Sequence, residues 1–205
     1  VGICLSTFFF NNNNNMACNL TRGRKEPCKD VVGGIKNVYF VDFGSLGTVT
    51  ETDDEITNMT GDASNNLTAF KYEVKGNSSF ESNITASREN GTTFFEQTLN
   101  LTLHKLSKED NKELKLLAFG RPHVVVEDYN GNCMLMGLEH GADVSGGTIV
   151  TGAAMGDLSG YTLTLSAMER KPANFMVVDA TSGTFPFSQF AGLSGTITIT
   201  EGTNS

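Results

Sequence analysis

Between residues 67 and 103 apolar and polar side chains alternate in three successive runs. In 67–75, Phe70, Tyr72 and Val74 fall on one side. In 79–87, Phe80, Ser82, Ile84 and Ala86 do so. In 92–103, Phe95, Gln97, Leu99, Leu101 and Leu103 oppose Phe94, Glu96, Thr98, Asn100 and Thr102. A period of two sends successive side chains to opposite faces of a strand. Gly76-Asn77 and Asn90-Gly91, between the runs, are turn residues. The pattern predicts an antiparallel meander with one apolar face and one polar face.

The same alternation predicts strands elsewhere. One lies in 31–43, with Ile35, Asn37, Tyr39, Val41 and Phe43 on one face. Residues 124–129 and 132–136 flank Asn130-Gly131, a pair that favours the type I′ hairpin turn. Residues 137–160 read as Gly-rich strand and loop. In 161–168, Tyr161, Leu163, Leu165 and Ala167 face one way, and Pro172 ends the run. Two short strands follow, at 175–178 and 196–200. A single helix is marked. Ser107 with Asp110 three residues later resembles a capping box, Leu114, Leu117 and Ala118 recur at helical spacing, and Gly120-Arg121-Pro122 stops it. Eight to ten strands and one helix predict a mainly β fold, an antiparallel β-sandwich or open barrel with one flanking α-helix.

Residues 44–65 show no periodic pattern and read as a long acidic loop. Glu51, Asp53, Asp54, Glu55 and Asp62 lie there without a Lys or Arg. The reverse holds over residues 22–29, where Arg22, Arg24, Lys25 and Lys29 are opposed only by Glu26. Residues 1–15 are apolar and then asparagine-rich, so they read as an extension, with Met16 the natural start. The chain then divides into 16–180, the β domain, and 181–205, a C-terminal extension with a short strand. The net charge of −8 argues against a duplex-DNA binder, which needs a basic face to displace counterions. No run of 18 apolar residues is present to form a membrane-spanning helix.

Motifs for chemistry are missing. Cys4, Cys18, Cys28 and Cys133 form no C-x-x-C or zinc spacing, and the count without Cys4 is odd, which suits a reduced chain, although Cys18 and Cys28 could pair if oxidised. His104 and His123 border apolar strands and read as structural. Gly156 to Gly160 does not place a Ser as G-x-S-x-G requires, and no G-K-[ST] follows the glycines. Glu127 and Asp128 are adjacent on a strand and point to opposite faces, so they cannot work as an acid–base pair. No enzyme, cofactor or metal is expected. N-x-[ST] sequons at Asn19, Asn58, Asn66, Asn77, Asn83, Asn90 and Asn100 reflect a preference for Asn and Thr on exposed β surfaces.

The downstream half carries a resemblance. The Asn130-Gly131 hairpin leads to Met136-Gly137 and Gly141. Thr151-Gly152, Asp157 and the strand Ser159-Gly160-Tyr161-Thr162-Leu163-Thr164-Leu165 follow, closing with Met168-Glu169 and Pro172. With the helix ahead of the hairpin, this order resembles the tail tube proteins of tailed bacteriophages over residues 18–180. The resemblance implies a virion structural protein, assembled in the host cytoplasm. Its copies would form stacked hexameric rings whose inner sheets join into one barrel. DNA, and before it a tape-measure protein, would pass through without specific binding. Other tail proteins would be partners, and no membrane is involved. Within that frame Arg22, Arg24 and Lys25 are expected to meet Glu51, Asp53, Asp54 and Glu55 between stacked rings. Two alternatives stand beside it. One is another phage ring component, such as a connector, tail terminator or decoration protein. The other is a secreted adhesin or carbohydrate-binding sandwich, which the absence of Trp weakens.

Overall fold

The computed structural model describes residues 22–26, 28–178 and 183–202. It has two compact units, Val1–Asp30 and Val31–Ser205. In the first, residues 22–26 and 28–30 are exposed and carry no helix or strand. The extension at 1–15 and Cys18 lie outside the described residues.

The second unit is a β-sandwich with one flanking helix. Its strands are β1 (Ile35–Val41), β2 (Val49–Thr52), β3 (Glu55–Met59), β4 (Leu67–Glu73), β5 (Ser79–Ser87) and β6 (Thr92–His104). After α1 (Lys108–Phe119) come β7 (His123–Asp128), β8 (Cys133–Met136), β9 (Asp143–Val150), β10 (Gly160–Glu169), β11 (Asn174–Met176) and β12 (Ile197–Glu201). An eight-stranded sheet runs β12-β4-β1-β7-β8-β11-β3-β2, and a four-stranded sheet runs β5-β6-β10-β9. Most pairings are antiparallel, but β11 pairs with β3 and β12 with β4 in parallel. The expected sandwich with one flanking helix is the one observed, and these two long-range pairings are parallel additions to its antiparallel ladders.

The larger sheet is buried on both faces in its middle. Val38, Phe40, Val124, Val126 and Met136 pack against Leu99, Leu101, Leu165 and Ala167 of the smaller sheet. On the opposite face Tyr39, Val41, Val125 and Leu135 meet Leu46, Ile56, Met59, Phe187, Phe190 and Leu193. Ile35, expected on the face of Tyr39 and Val41, packs instead with Val38 and Phe40, because a bulge between Ile35 and Asn37 shifts the register. The segment 183–202 supplies three aromatic or aliphatic core residues and a strand, so it is built into the sandwich.

Two local expectations are overturned. Residues 44–65 are no featureless loop: β2 and β3 form a hairpin there. Its turn is Asp53-Asp54, with φ of 53° and 62°, the left-handed pair of a type I′ turn. At Asn130-Gly131 only Gly131 has positive φ, 84°. The Asp128 carboxylate accepts from the Asn130 and Asn132 N–H groups, both at 2.8 Å. The Gly131 N–H reaches Asp128 O, and the Asp128 N–H reaches Asn132 O at 3.0 Å. This is a three-residue loop ending in a glycine bulge.

The helix forms as its ends predict. Ser107 Oγ accepts from the Asp110 N–H at 2.9 Å, and the Gly120 N–H closes on Leu116 O and Leu117 O. Leu114 is buried, and α1 lies alongside β9.

Candidate functional site

The four-stranded sheet carries the arrangement with the most functional content. Its registers sort every side chain. Leu99, Leu101, Leu103, Tyr161, Leu163, Leu165, Ala167 and Phe80 face the core. The outer face carries Ser79, Glu81, Asn83 and Thr85 from β5, and Glu96, Thr98, Asn100 and Thr102 from β6. β10 adds Thr162, Thr164 and Ser166, and β9 adds Asp143 and Thr148. Phe94 and Met168 at one end and Val150 at the other are its apolar exceptions. No Lys or Arg occurs in any of the four strands, while Glu81, Glu96 and Asp143 are all on the outer face. The face is hydroxyl-rich and acidic. Cross-strand bonds hold it: Thr148 and Thr162 hydroxyls lie 2.6 Å apart, and Thr164 Oγ1 donates to Asn100 Oδ1 at 3.0 Å.

Both margins of this sheet are open. β5 pairs only with β6, and β9 only with β10 among the described residues. Each leaves one row of backbone N–H and C=O groups without a ladder partner, which templates further strand pairing. Neither strand contains proline or lysine, the usual blocks to such pairing. Between β9 and α1 runs an apolar groove of about 490 Å³, lined by Leu114, Ala118, Val144, Gly147, Ile149, Tyr161 and Leu163 among others.

The charged residues expected to meet between copies are placed as follows. Arg22, Arg24 and Lys25 are exposed in the first unit. Asp53 and Asp54 form the exposed hairpin tip, with Glu51 and Glu55 on its two strands. Glu51 already has an internal partner: Lys171 Nζ donates to its Oε2 at 2.5 Å, and this bond raises the Lys171 pKa. Asp53 and Asp54 are thus the members of the acidic set carried at the tip, with Glu55 beside them at the start of β3.

Three buried polar groups serve the fold. Glu127 is 2 % exposed. Its Oε1 accepts from Lys36 Nζ at 2.6 Å, and its Oε2 from Asn37 Nδ2 at 2.6 Å and the Tyr39 hydroxyl at 2.9 Å. The bond to Glu127 raises the Lys36 pKa, and burial pushes the Tyr39 phenol far above its ordinary value. The carboxylate is saturated by the chain's own donors. His123, buried on β7, is likewise structural, as its place in the sequence suggested. Its Nδ1 lies 2.7 Å from Gly137 O, and the Gly44 N–H donates to its Nε2 at 3.1 Å. Glu169 Oε1 accepts from the N–H groups of Glu139 and His140, both at 3.0 Å, and His140 Nδ1 lies 3.3 Å from Oε2. Glu139, His140 and Glu169 bring three metal-type donor atoms within 4.8 Å, but two backbone amides and the imidazole already account for both oxygens of Glu169. The trio clamps the turn between Gly137 and Gly141. Cys133 is buried on the sheet, its thiol pushed up to about 12 chiefly by desolvation, which suppresses the nucleophilic thiolate.

No protein-family profile and no curated protein matches this chain.

Proposed function

We propose that this chain is a structural subunit of a bacteriophage tail tube, repeating itself side to side into rings, hexameric as the resemblance implies, that stack into a conduit for DNA. One observation carries this reading: a four-stranded sheet open at both margins, with a hydroxyl-rich outer face free of Lys and Arg.

Copies joined edge to edge bury the unpaired margins and leave no exposed edge in this sheet once the ring closes. An even number of strands per copy suits such a ring. β9 runs opposite to β5, so a β9-to-β5 seam continues the antiparallel alternation of each sheet. The outer face then lines the lumen. Acidic and hydroxyl groups repel or slip past phosphates, where a basic lining would hold them. In this reading the Asp53-Asp54 tip and the basic residues Arg22, Arg24 and Lys25 face the neighbouring ring, and other tail proteins and the tape-measure protein are further partners.

Negative-stain microscopy of the purified chain at high concentration tests the proposal. Hollow tubes or six-fold rings are the expected outcome. Particles that stay monomeric over the whole concentration range would overturn it.

A further inference from the structure

Resting on the ring reading, we infer that Ile84 of one copy plugs the groove between α1 and β9 of the next. Ile84 is 68 % exposed although it lies on the core-facing side of β5, opposite Phe95. At the other margin Ile149, also on the core-facing side, is 63 % exposed, because there the sheet faces α1 across an open groove. Each margin therefore has an uncovered apolar position on the same face of the same sheet.

The register brings them together. β5 lies level with β6 from Thr92 to Asn100, whereas β9, read through β10, lies level with Thr98 to His104. The two margins are staggered in opposite directions along the sheet. A long β9-to-β5 seam therefore needs neighbouring copies offset along the strand, which is the stagger a closed barrel of tilted strands demands. Only even offsets keep core-facing residues on one side. Counting from Phe95, the level of Ile84, offsets of four, six and eight residues reach Leu99, Leu101 and Leu103. Those are the levels of Val144, Gly147 and Ile149. All three line the groove, so each of these offsets delivers Ile84 into it.

The occupant of the groove is thus a second copy of this chain. Full-length Ile84→Cys and Ala118→Cys variants, purified separately, are mixed, assembled and treated with a short bis-maleimide. A cross-linked dimer is expected in the mixture and not in either variant alone. The parent sequence, treated with the same bis-maleimide, controls for the native cysteines. Ile84→Asp should abolish tubes while leaving the monomer's melting temperature unchanged, since the side chain is exposed in the single copy. Ile84→Ala should raise the concentration needed for assembly about tenfold or more. Tubes from Ile84→Asp with no mixed cross-link, or cross-links in Ala118→Cys alone, would overturn this seam and leave the ring reading standing. A parent chain that never assembles would overturn both.

Discussion

His123 shows how one side chain couples two segments of the fold to pH. Its ring stacks on Phe43 with centroids 5.0 Å apart. Desolvation pulls its pKa below the ordinary value, against the opposing pull of its bond to Gly137 and the charge of Glu169. In the neutral form Nδ1 donates to Gly137 O and Nε2 accepts from the Gly44 amide. A second proton would set two N–H groups against each other at Gly44. The unfolded chain then holds more protons than the folded one below the unfolded pKa of about 6.5. This contribution to stability is complete above that value and is lost as pH falls toward the lower folded pKa. The urea midpoint should drop between about pH 7 and pH 5. His123→Gln, which can still accept from Gly44, should flatten that part of the profile. An unchanged slope in the variant would assign it to other groups. Asp128 acts further down. Burial raises its pKa, but the bonds from Asn132 and Asn130 outweigh that and hold it low, so its turn weakens only as pH falls below the usual carboxylate range.

Among the elements, the β2–β3 hairpin is where reading by period fails, for a physical reason. Thr50 pairs with Asn58 and Glu51 with Ile56, so Thr57 is an extra residue in the ladder. That bulge puts Ile56 and Met59, three apart in sequence, both into the core, and a period of two cannot survive it. The long unbroken strands β5, β6 and β10 were legible because nothing interrupts their alternation. The helix was legible because Ser107 and Gly120 mark its ends. At Asn130-Gly131 the dipeptide was misleading, since Asp128 captures the following amides and selects a longer loop. The hairpin tip also shapes the test of its charge. Asp53 and Asp54 sit at positive φ, which Asn tolerates and most residues do not. A lysine reversal would mix strain with electrostatics. The paired variant Asp53→Asn, Asp54→Asn keeps the turn and removes the charge. If these carboxylates steer ring stacking, light scattering should show slower tube growth from this variant at low salt and parity with the parent at high salt. Equal growth at both salt levels would release the tip from that role, and an exposed pair contributes only about 0–1 kcal/mol, so repetition around the ring must carry the effect.

For the whole molecule, the decisive feature is which strands end as edges, and no local pattern carries that. β5 and β9 become margins because β6 and β10 pair centrally across some sixty residues of chain, a choice made by the packing of Leu99, Leu101 and Leu165 on the larger sheet. The polar face was visible in the alternation of β6, but its lack of cations over all four strands emerges only when the sheet is assembled. That face makes the conduit reading testable apart from assembly. Glu81, Glu96 and Asp143 lie on it, away from the core and from the groove beside α1. Changing Glu96, Thr98 and Ser166, outer-face residues of the two central strands, to Lys should leave each copy folded and still able to join its neighbours, because the seam lies at the margins β5 and β9 and on the core-facing side. It should convert the lumen from a surface that sheds phosphate into one that holds it. Tubes assembled in the presence of short duplex DNA and then sedimented should carry little DNA when made from the parent chain. Tubes of the triple variant should carry much more, with retention falling steeply as salt rises, since each new phosphate contact releases a counterion. Equal retention by both at every salt concentration would mean the acidic face does not line the path of the DNA, and the sheet's other side, or the tip of the β2–β3 hairpin, would have to be turned toward it instead.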